Sequence, residues 1–224
     1  MSPEITDKEQ LWEQIEMWNN IALIKDDAYF TRWVKECGKL DHHDGFINYL
    51  APYLRGTMLD IGANIGTHSY AYVQKGIVHC FEPNPLAFEC LKHNVGKLPR
   101  VHLHNVAVSD HFGFIDMVDQ GNNYGAMYTK DGTQIPCITI DSLALDACDF
   151  IKIDVEGDEL GVLFGAQDTI KKYRPVMCIE CNKHTLELKG NTPEDLEKLI
   201  SILGYTHQVR QPEDISCDLL CLPR

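Results

Sequence analysis

The chain has 224 residues, of which 44% are hydrophobic and 24% charged, and its formal net charge is −13. This length and composition suit one α/β domain with a substantial core and a short additional segment. The acidic charge disfavours binding to nucleic-acid phosphates or to an anionic membrane, and no stretch approaches the ~20 apolar residues of a transmembrane helix. The first residues carry no apolar signal-peptide core, so we expect a cytoplasmic protein.

The predicted elements begin with a helical segment over residues 8–37, inside a predicted N-terminal part of residues 1–50. We expect this segment to pack on the main domain or to form a lid over the substrate. In residues 51–224, short apolar runs alternate with helical patterns, which predicts a doubly wound, mostly parallel seven-stranded sheet. An antiparallel C-terminal hairpin is expected at one edge. The apolar runs cover residues 57–61, 77–82, 101–108, 112–119, 135–140, 149–155, 175–181, 204–210 and 215–222, and the helical patterns cover 67–74, 85–95, 159–173 and a helix capped by Thr192.

The first of these strands leads into a glycine-rich turn, LDIGANIGTH, at residues 59–68. The dinucleotide motif G-x-G-x-x-G cradles a pyrophosphate. In this chain Asn64 takes the place of the second glycine and Gly66 comes one residue early, so the match to that motif is poor. Asp60, two residues before Gly62, would repel a pyrophosphate but would attract a cation.

S-adenosylmethionine has no phosphate and carries an ammonium and a sulfonium, so the turn predicts this cofactor rather than NAD. We assign Asp60, Gly62, Asn64 and Gly66 to its binding site. The first residues of the following helix, Thr67 and His68, are predicted to join them.

Two further strand ends complete the predicted cofactor site. Glu82 ends the second strand in FEPNP, where a carboxylate can accept both hydroxyls of a ribose, and Pro83 follows it. The third run ends in NVAVSD, where Asn105 could hydrogen-bond an adenine and Ala107 is small enough to leave room for it.

The predicted acceptor side lies in IKIDVEG, residues 151–157, which places Asp154 and Glu156 at the carboxyl end of a strand. The adjacent strand ends at Glu180, and His184 follows shortly after. If the predicted cofactor gave up its methyl group here, the site would need an aligned nucleophile and a group that accepts its proton. The candidates for this catalytic role are Asp154, Glu156, Glu180 and His184, and Asp154 is also expected to contact the cofactor. Lys152, on the same strand face, could simply pair with a neighbouring acid.

Three places in the sequence offer possible metal ligands. Asp154 and Asn182 could belong to a Mg²⁺ site, but the usual set of hard-cation ligands is incomplete, so Mg²⁺ is not favoured. The stretch His42-His43-Asp44 fits a solvated loop with Asp44 as a helix cap better than a metal site. The chain has nine cysteines. Those at 178, 181, 217 and 221 lie in predicted strands rather than tight turns, so reduced thiols are expected instead of zinc ligands.

The segments LDIGANIGTHS, FEPNP, NVAVSD, TIDSL, DFIKIDVEGDELGVLFGA and RPVMCIEC, in this order, resemble the FkbM-type methyltransferases, a branch of the class I S-adenosylmethionine-dependent enzymes. The resemblance covers roughly residues 55–182. It implies methyl transfer, most typically to a hydroxyl of a sugar, a polyketide or a similar small metabolite. The N-terminal region shows no such resemblance and leaves the acceptor open.

We therefore predict an O-methyltransferase that acts on a small hydroxylated acceptor, with no nucleic-acid or membrane partner. The sequence leaves three alternatives open. They are an N-methyltransferase acting on a small amine, an NAD-dependent oxidoreductase, and a non-catalytic module that binds S-adenosylmethionine.

Overall fold

The computed structural model describes residues 9–27, 29–40, 44–118, 127–210 and 216–224. The strands, numbered along the chain, are β1 Ile15–Trp18, β2 Ile21–Ile24, β3 Gly56–Ile61, β4 Gly76–Phe81, β5 Val101–His104, β6 Ala107–Val108, β7 Gly113–Val118, β8 Tyr128–Asp131, β9 Ile135–Ile138, β10 Phe150–Ile153, β11 Val176–Asn182, β12 Tyr205–Arg210 and β13 Ser216–Pro223. The α-helices with described bounds are Phe30–Cys37, Asp44–Leu50, Thr67–Tyr72, Pro85–Asn94, Glu159–Phe164, Gln167–Tyr173, Lys183–Leu188 and Pro193–Ile202.

The main sheet has seven strands in the order β12-β13-β11-β10-β3-β4-β5. Strands β11, β10, β3, β4 and β5 are parallel, and β13 pairs antiparallel with both β11 and β12. The predicted doubly wound, mostly parallel α/β fold is confirmed. Its central strands β3 and β10 are mostly apolar and mostly buried, as is typical of parallel sheets covered by helices.

The order of the strands reverses at β3. From β3 the chain proceeds outward to β4 and β5, and it then returns to the other side of β3 with β10 and β11. In open α/β sheets, ligands bind in the crevice at the carboxyl ends of the strands that flank such a switch point. The fold therefore indicates a ligand site at the residues that follow β3 and β10.

A second sheet of four strands, in the order β6-β9-β7-β8, was not predicted as a separate unit. The predicted strand 101–108 is divided between the two sheets, because Asn105 leaves the main ladder and its side chain donates to the carbonyl oxygens of Glu82 and Pro83, at 2.8 and 3.2 Å. The predicted strands 112–119 and 135–140 both lie in the small sheet. Periodicity shows that a segment is a strand but does not show which sheet it joins.

The prediction of a continuous helical segment over residues 8–37 was wrong. Residues 15–24 form the antiparallel hairpin β1–β2, with Asn19 and Asn20 at φ +47° and +65° in its two-residue turn. Asparagine tolerates the positive φ that such turns require. Asn94 anchors the hairpin to the main domain, since its side chain accepts from Ala22 N at 2.7 Å and donates to Ala22 O at 3.0 Å. The predicted boundary between residues 50 and 51 stays a prediction.

The predicted helix 159–173 is in fact two helices. At the break, a Cβ on Gly165 would lie 2.0 Å from the carbonyl oxygen of Ser109, so the chain is held close at this point. The carboxylate of Asp141 then accepts the backbone N–H groups of Asp168 and Thr169, at 3.0 and 2.8 Å, and starts the second helix. The cap predicted at Thr192 is present as a reciprocal capping box with Asp195.

Some predictions lie outside the described residues. They concern His42 and His43, most of the glycine- and asparagine-rich stretch 120–127, and the QPED connection at 211–214. The helix predicted to follow Asp44 begins at that residue. None of the helices in the described parts of the chain is long and apolar enough to cross a membrane.

Candidate functional site

A cavity lies at the carboxyl ends of β3, β4, β10 and β11, at the switch point of the main sheet. The turn after β3 forms one wall with Gly62, Ala63 and Asn64. Gly62 has φ +83°, and a Cβ at this position would lie only 1.7 Å from the carbonyl oxygen of Asp154. Only glycine therefore allows the turns after β3 and β10 to meet. Asn64 has φ +49°, which confirms that asparagine supplies the left-handed conformation expected of it.

Of the three cofactor-site residues predicted at positions 66–68, two line the cavity and one does not. Thr67 and His68 line the cavity at the start of the helix Thr67–Tyr72. Gly66, at φ +96°, is the helix N-cap and does not belong to the cavity wall of the described structure. A Cβ on Gly66 would approach side-chain atoms of Leu91 and Val95 to 3.0 and 3.1 Å, so this glycine serves close packing of two helices.

Asp60 lies behind the wall rather than in it. It is 0% exposed, it is not among the residues that line the cavity in the described structure, and it accepts a hydrogen bond from Ser69 Oγ at 2.5 Å. Lys152 is its direct neighbour across the sheet. Burial raises the pKa of Asp60, and the charge of Lys152 opposes that rise. Asp60 is therefore placed to interact with Lys152 and Ser69, whereas direct contact with a cofactor stays a prediction.

Glu82 joins the end of β4 to the glycine-rich turn. Its two carboxylate oxygens accept the backbone N–H groups of Asn64 and Asn84, each at 2.8 Å, and its side chain lines the cavity next to Pro83. Burial raises the pKa of Glu82 to about 7, although both N–H groups oppose the rise. Each oxygen retains lone-pair capacity for a further donor such as a ribose hydroxyl.

Of the two residues predicted near the adenine, only one lies on the cavity of the described structure. Ala107 is buried and lines the cavity, whereas Asn105 is exposed and donates to the backbone oxygens of Glu82 and Pro83. Asn105 thus fixes the loop that carries Glu82, and its predicted contact with the adenine stays untested.

Three predicted catalytic acids converge on the opposite side of the cavity. Asp154, Glu156 and Glu180 each place a carboxylate oxygen within 4.8 Å of the others. Lys152 Nζ donates to Asp154 Oδ2 at 2.8 Å, and Ser216 Oγ donates to Glu180 Oε1 at 3.3 Å. Among the described residues, the arrangement provides several hydrogen-bond acceptors and the cation of Lys152 at this end of the cavity.

The electrostatics of this cluster favour proton binding. Burial and then the charge of Asp154 raise the pKa of both Glu156 and Glu180 above their ordinary range. Such a set of acids can accept a proton from a hydroxyl, hydrogen-bond the rest of an acceptor, or hold a cation. It is the only group of three or more potential metal ligands found in the described residues. The Asn182 oxygen, the other suggested Mg²⁺ ligand, already accepts two backbone N–H groups as a helix cap.

The fourth predicted catalytic residue, His184, is not brought to the cluster. It is exposed on the short helix Lys183–Leu188 and does not belong to the cavity wall of the described structure. Strand β11 ends at Asn182 and the helix begins at once, so the chain turns before His184 can follow Glu180 into the cavity. Its backbone N–H donates to the Asn182 side chain at 3.0 Å.

The sequence interpretation missed the residues that close the cavity. The small sheet contributes Ile115, Met117 and Thr129, and the helix Phe30–Cys37 contributes Phe30. Phe30 belongs to residues 8–37, which were expected to pack on the main domain or to form a lid, whereas no pattern in the sequence indicated that the small sheet folds over the main sheet. Asp158 also lines the cavity, and it could have been suspected from the run of acids in DVEGDE.

All nine cysteines are free of disulfide bonds, and the absence of a zinc site among them stays a prediction. Cys181 of β11 lies directly opposite Cys217 of β13. Cys178 packs in the core on the other side of the sheet, so the strand geometry separates it from Cys181.

The chain is similar in sequence to a known family of proteins and to two characterised relatives. Residues 60–206 match the Methyltransferase FkbM domain. The 2-O-methyltransferase NoeI of Sinorhizobium fredii is 30% identical over 193 residues, which cover 73% of this chain and 77% of that protein. The hexuronic acid methyltransferase AglP of Haloferax volcanii is 30% identical over 150 residues, which cover 63% of this chain and 60% of that protein.

Two solved structures share the fold. The methyltransferase FkbM of Methylobacillus flagellatus has a TM-score of 0.53 at 18% identity, with 97% of this chain and 58% of that chain covered. The magnesium protoporphyrin IX methyltransferase of Synechocystis, with bound SAM, has a TM-score of 0.52 at 9% identity, with 100% and 92% covered. The chain thus spans about three fifths of the length of AglP and of the FkbM structure.

Proposed function

The chain belongs to the FkbM methyltransferase family and is an S-adenosylmethionine-dependent methyltransferase, and we propose that it transfers the methyl group to a hydroxyl of a sugar. The observation that carries this proposal is one cavity with the glycine-rich turn and Glu82 at one side and three carboxylates at the other. The relatives support the acceptor class, since one is named for 2-O-methylation and the other for a hexuronic acid. The family does not support the oxidoreductase or the non-catalytic alternative.

The residues of this chain fit the cofactor in two respects. Glu82 offers carboxylate lone pairs to the ribose hydroxyls, and the positive φ of Gly62 and Asn64 lets the backbone approach a ligand closely. S-adenosylmethionine supplies an electrophilic methyl group on a positively charged sulfur. The excess of acids over cations at the cavity favours a positively charged ligand of this kind. The proposal includes no Mg²⁺.

Methyl transfer is a displacement at carbon, so the site must align the acceptor oxygen and remove its proton. In our proposal Glu156 accepts the proton, because its raised pKa makes it a stronger base than an ordinary glutamate. Asp154 is held by Lys152 and orients the acceptor, and Glu180 accepts a hydrogen bond from a second hydroxyl. Phe30 and the small sheet exclude water from the cavity.

A second acceptor class is favoured by the same cluster. Three carboxylates would also bind an ammonium group, and a free amine needs little help from a base. N-methylation of a small amine is therefore the alternative that the experiment must separate from methylation of a sugar.

The test is a methyl-transfer assay with S-adenosylmethionine and matched acceptors. The panel contains methyl glycosides of hexuronic acids and neutral hexoses, their 2-deoxy analogues and simple primary amines. We expect transfer to a sugar that has a 2-hydroxyl and none to its 2-deoxy analogue. We further expect Glu156→Gln to lower kcat by at least about a hundredfold, as is usual for loss of a general base. Transfer to amines alone, or unchanged kcat in Glu156→Gln, would contradict the proposal.

A further inference from the structure

The turn that follows β10, residues 154–157, has a strained backbone. Glu156 has φ +55°, a conformation that costs a residue with a side chain about 1–3 kcal/mol and persists only where the surroundings enforce it. Gly157 has φ +110°, and a Cβ on it would lie 2.3 Å from the carbonyl oxygen of Thr185. The same turn presents the side chains of Asp154 and Glu156 to the cavity. Something in the fold must therefore hold this conformation.

Glu159 contacts the turn from the protein interior. Its carboxylate oxygen Oε1 accepts the backbone N–H of Gly157 at 3.1 Å and the backbone N–H of Val155 at 3.4 Å. Glu159 is 0% exposed and does not line the cavity of the described structure. One buried oxygen thus satisfies two donors of a turn whose own backbone cannot satisfy them in a regular ladder.

The burial of this carboxylate is costly and needs a compensating role. Its second oxygen, Oε2, has no hydrogen-bond partner in the described residues, and burial raises the pKa of Glu159 to about 7. The capping box of the helix Pro193–Ile202 shows that a helix of this protein can begin with an exposed acid, Asp195, and without a buried charge. The start of the helix Glu159–Phe164 does not by itself explain a buried glutamate.

We propose that Glu159 is a positioning residue of the methyl-transfer site, which holds the turn 154–157 in the conformation that directs Asp154 and Glu156 into the cavity. The inference rests on the proposed function, in which these two acids act on the acceptor. The bond from Gly157 is the shorter of the two, so it carries most of the restraint on the left-handed Glu156.

The experiment compares Glu159→Ala, Glu159→Gln and Glu194→Ala in the full chain. Glu194 is an exposed acid in the first turn of another helix and serves as the matched control. Amide hydrogen exchange is measured at Val155 and Gly157, together with affinity for S-adenosylhomocysteine and with kcat on the sugar acceptor. Loss of the acceptor oxygen should speed exchange at both amides by about tenfold or more. It should lower kcat by a similar factor and leave the affinity for S-adenosylhomocysteine within about threefold.

Glu159→Gln retains one acceptor oxygen and should restore both the exchange protection and kcat to within about threefold of the wild type. A Glu159→Ala variant that exchanges at both amides like Glu194→Ala would overturn the proposal. If Glu159→Ala does not fold, Glu159→Gln decides, because loss of protection at Gly157 in that variant would equally overturn it. The exchange measurement requires no acceptor, so failure to find a sugar substrate would count against the proposed function alone.

Discussion

Replacing Gly62 by alanine tests whether the turns after β3 and β10 must touch for the site to form. A Cβ on Gly62 would lie 1.7 Å from the carbonyl oxygen of Asp154, whereas ordinary contact begins at 3.4 Å. The two turns would have to separate by about 1.7 Å. A displacement of about 1 Å is enough to cost on the order of a hundredfold in catalysis. The displacement of the turn after β3 would also break the 2.8 Å hydrogen bond from Asn64 N to Glu82, since hydrogen bonds weaken steeply with such a shift.

Gly190 provides the matched control, because it has φ +75° and no atom within 4 Å of the position of an added Cβ. Gly190→Ala should lower the free energy of unfolding by about 1–2 kcal/mol, the cost of a left-handed conformation, and leave ligand affinity unchanged. Gly62→Ala should lower the free energy of unfolding further and weaken S-adenosylhomocysteine binding by about thirtyfold or more, the equivalent of two hydrogen bonds. Calorimetric titration and urea unfolding measure both effects. Binding by Gly62→Ala within about threefold of Gly190→Ala would refute the reasoning.

Three further predictions follow from the buried charges. The pKa of Glu82 is about 7, so below this pH Glu82 must release a proton before its carboxylate can accept both ribose hydroxyls. Calorimetry should therefore find that the affinity for S-adenosylhomocysteine rises with pH up to about 7 and is constant above it. The folded pKa of Glu159 is also about 7, above its ordinary value of 4.5, so its contribution to stability is full below pH 4.5 and is lost as pH rises through 7. Urea unfolding should therefore show Glu159→Gln gaining stability relative to the wild type across this pH range. Lys152→Met leaves the buried Asp60 and the partly exposed Asp154 without their cation and should lower the free energy of unfolding by about 3 kcal/mol. Equal stability of the variant would contradict the pairing of Lys152 with these acids.

The sequence predicted the acids of the site because their positions follow from strand geometry. Glu82, Asp154 and Glu180 each lie near the carboxyl end of a parallel strand, and such ends meet at one edge of the sheet. Glu156 follows the same logic, since it comes just after β10. The turn residue Asn64 could be predicted as well, because few residues other than glycine tolerate its backbone conformation.

The remaining features depend on contacts that no local pattern encodes. Ser69 and Lys152 surround Asp60 only after β3 and β10 have paired, so the sequence could not show that Asp60 lies behind the cavity wall. His184 is only four residues after Glu180, but the helix that begins in between turns its side chain to the solvent. The sequence predicts Glu159 only as the start of a helix, because its bond to Gly157 crosses a left-handed turn that no periodicity reveals.

The central claim is that the methyl group is transferred to an oxygen of a sugar, and the identity of the methylated atom tests it most directly. The enzyme is incubated with S-adenosylmethionine carrying a ¹³C-labelled methyl group and with the glycosides and amines described above, and the product is examined by carbon NMR. We predict a methoxy signal on a sugar that is absent from the 2-deoxy analogue. A labelled methyl group found only on nitrogen would contradict the account.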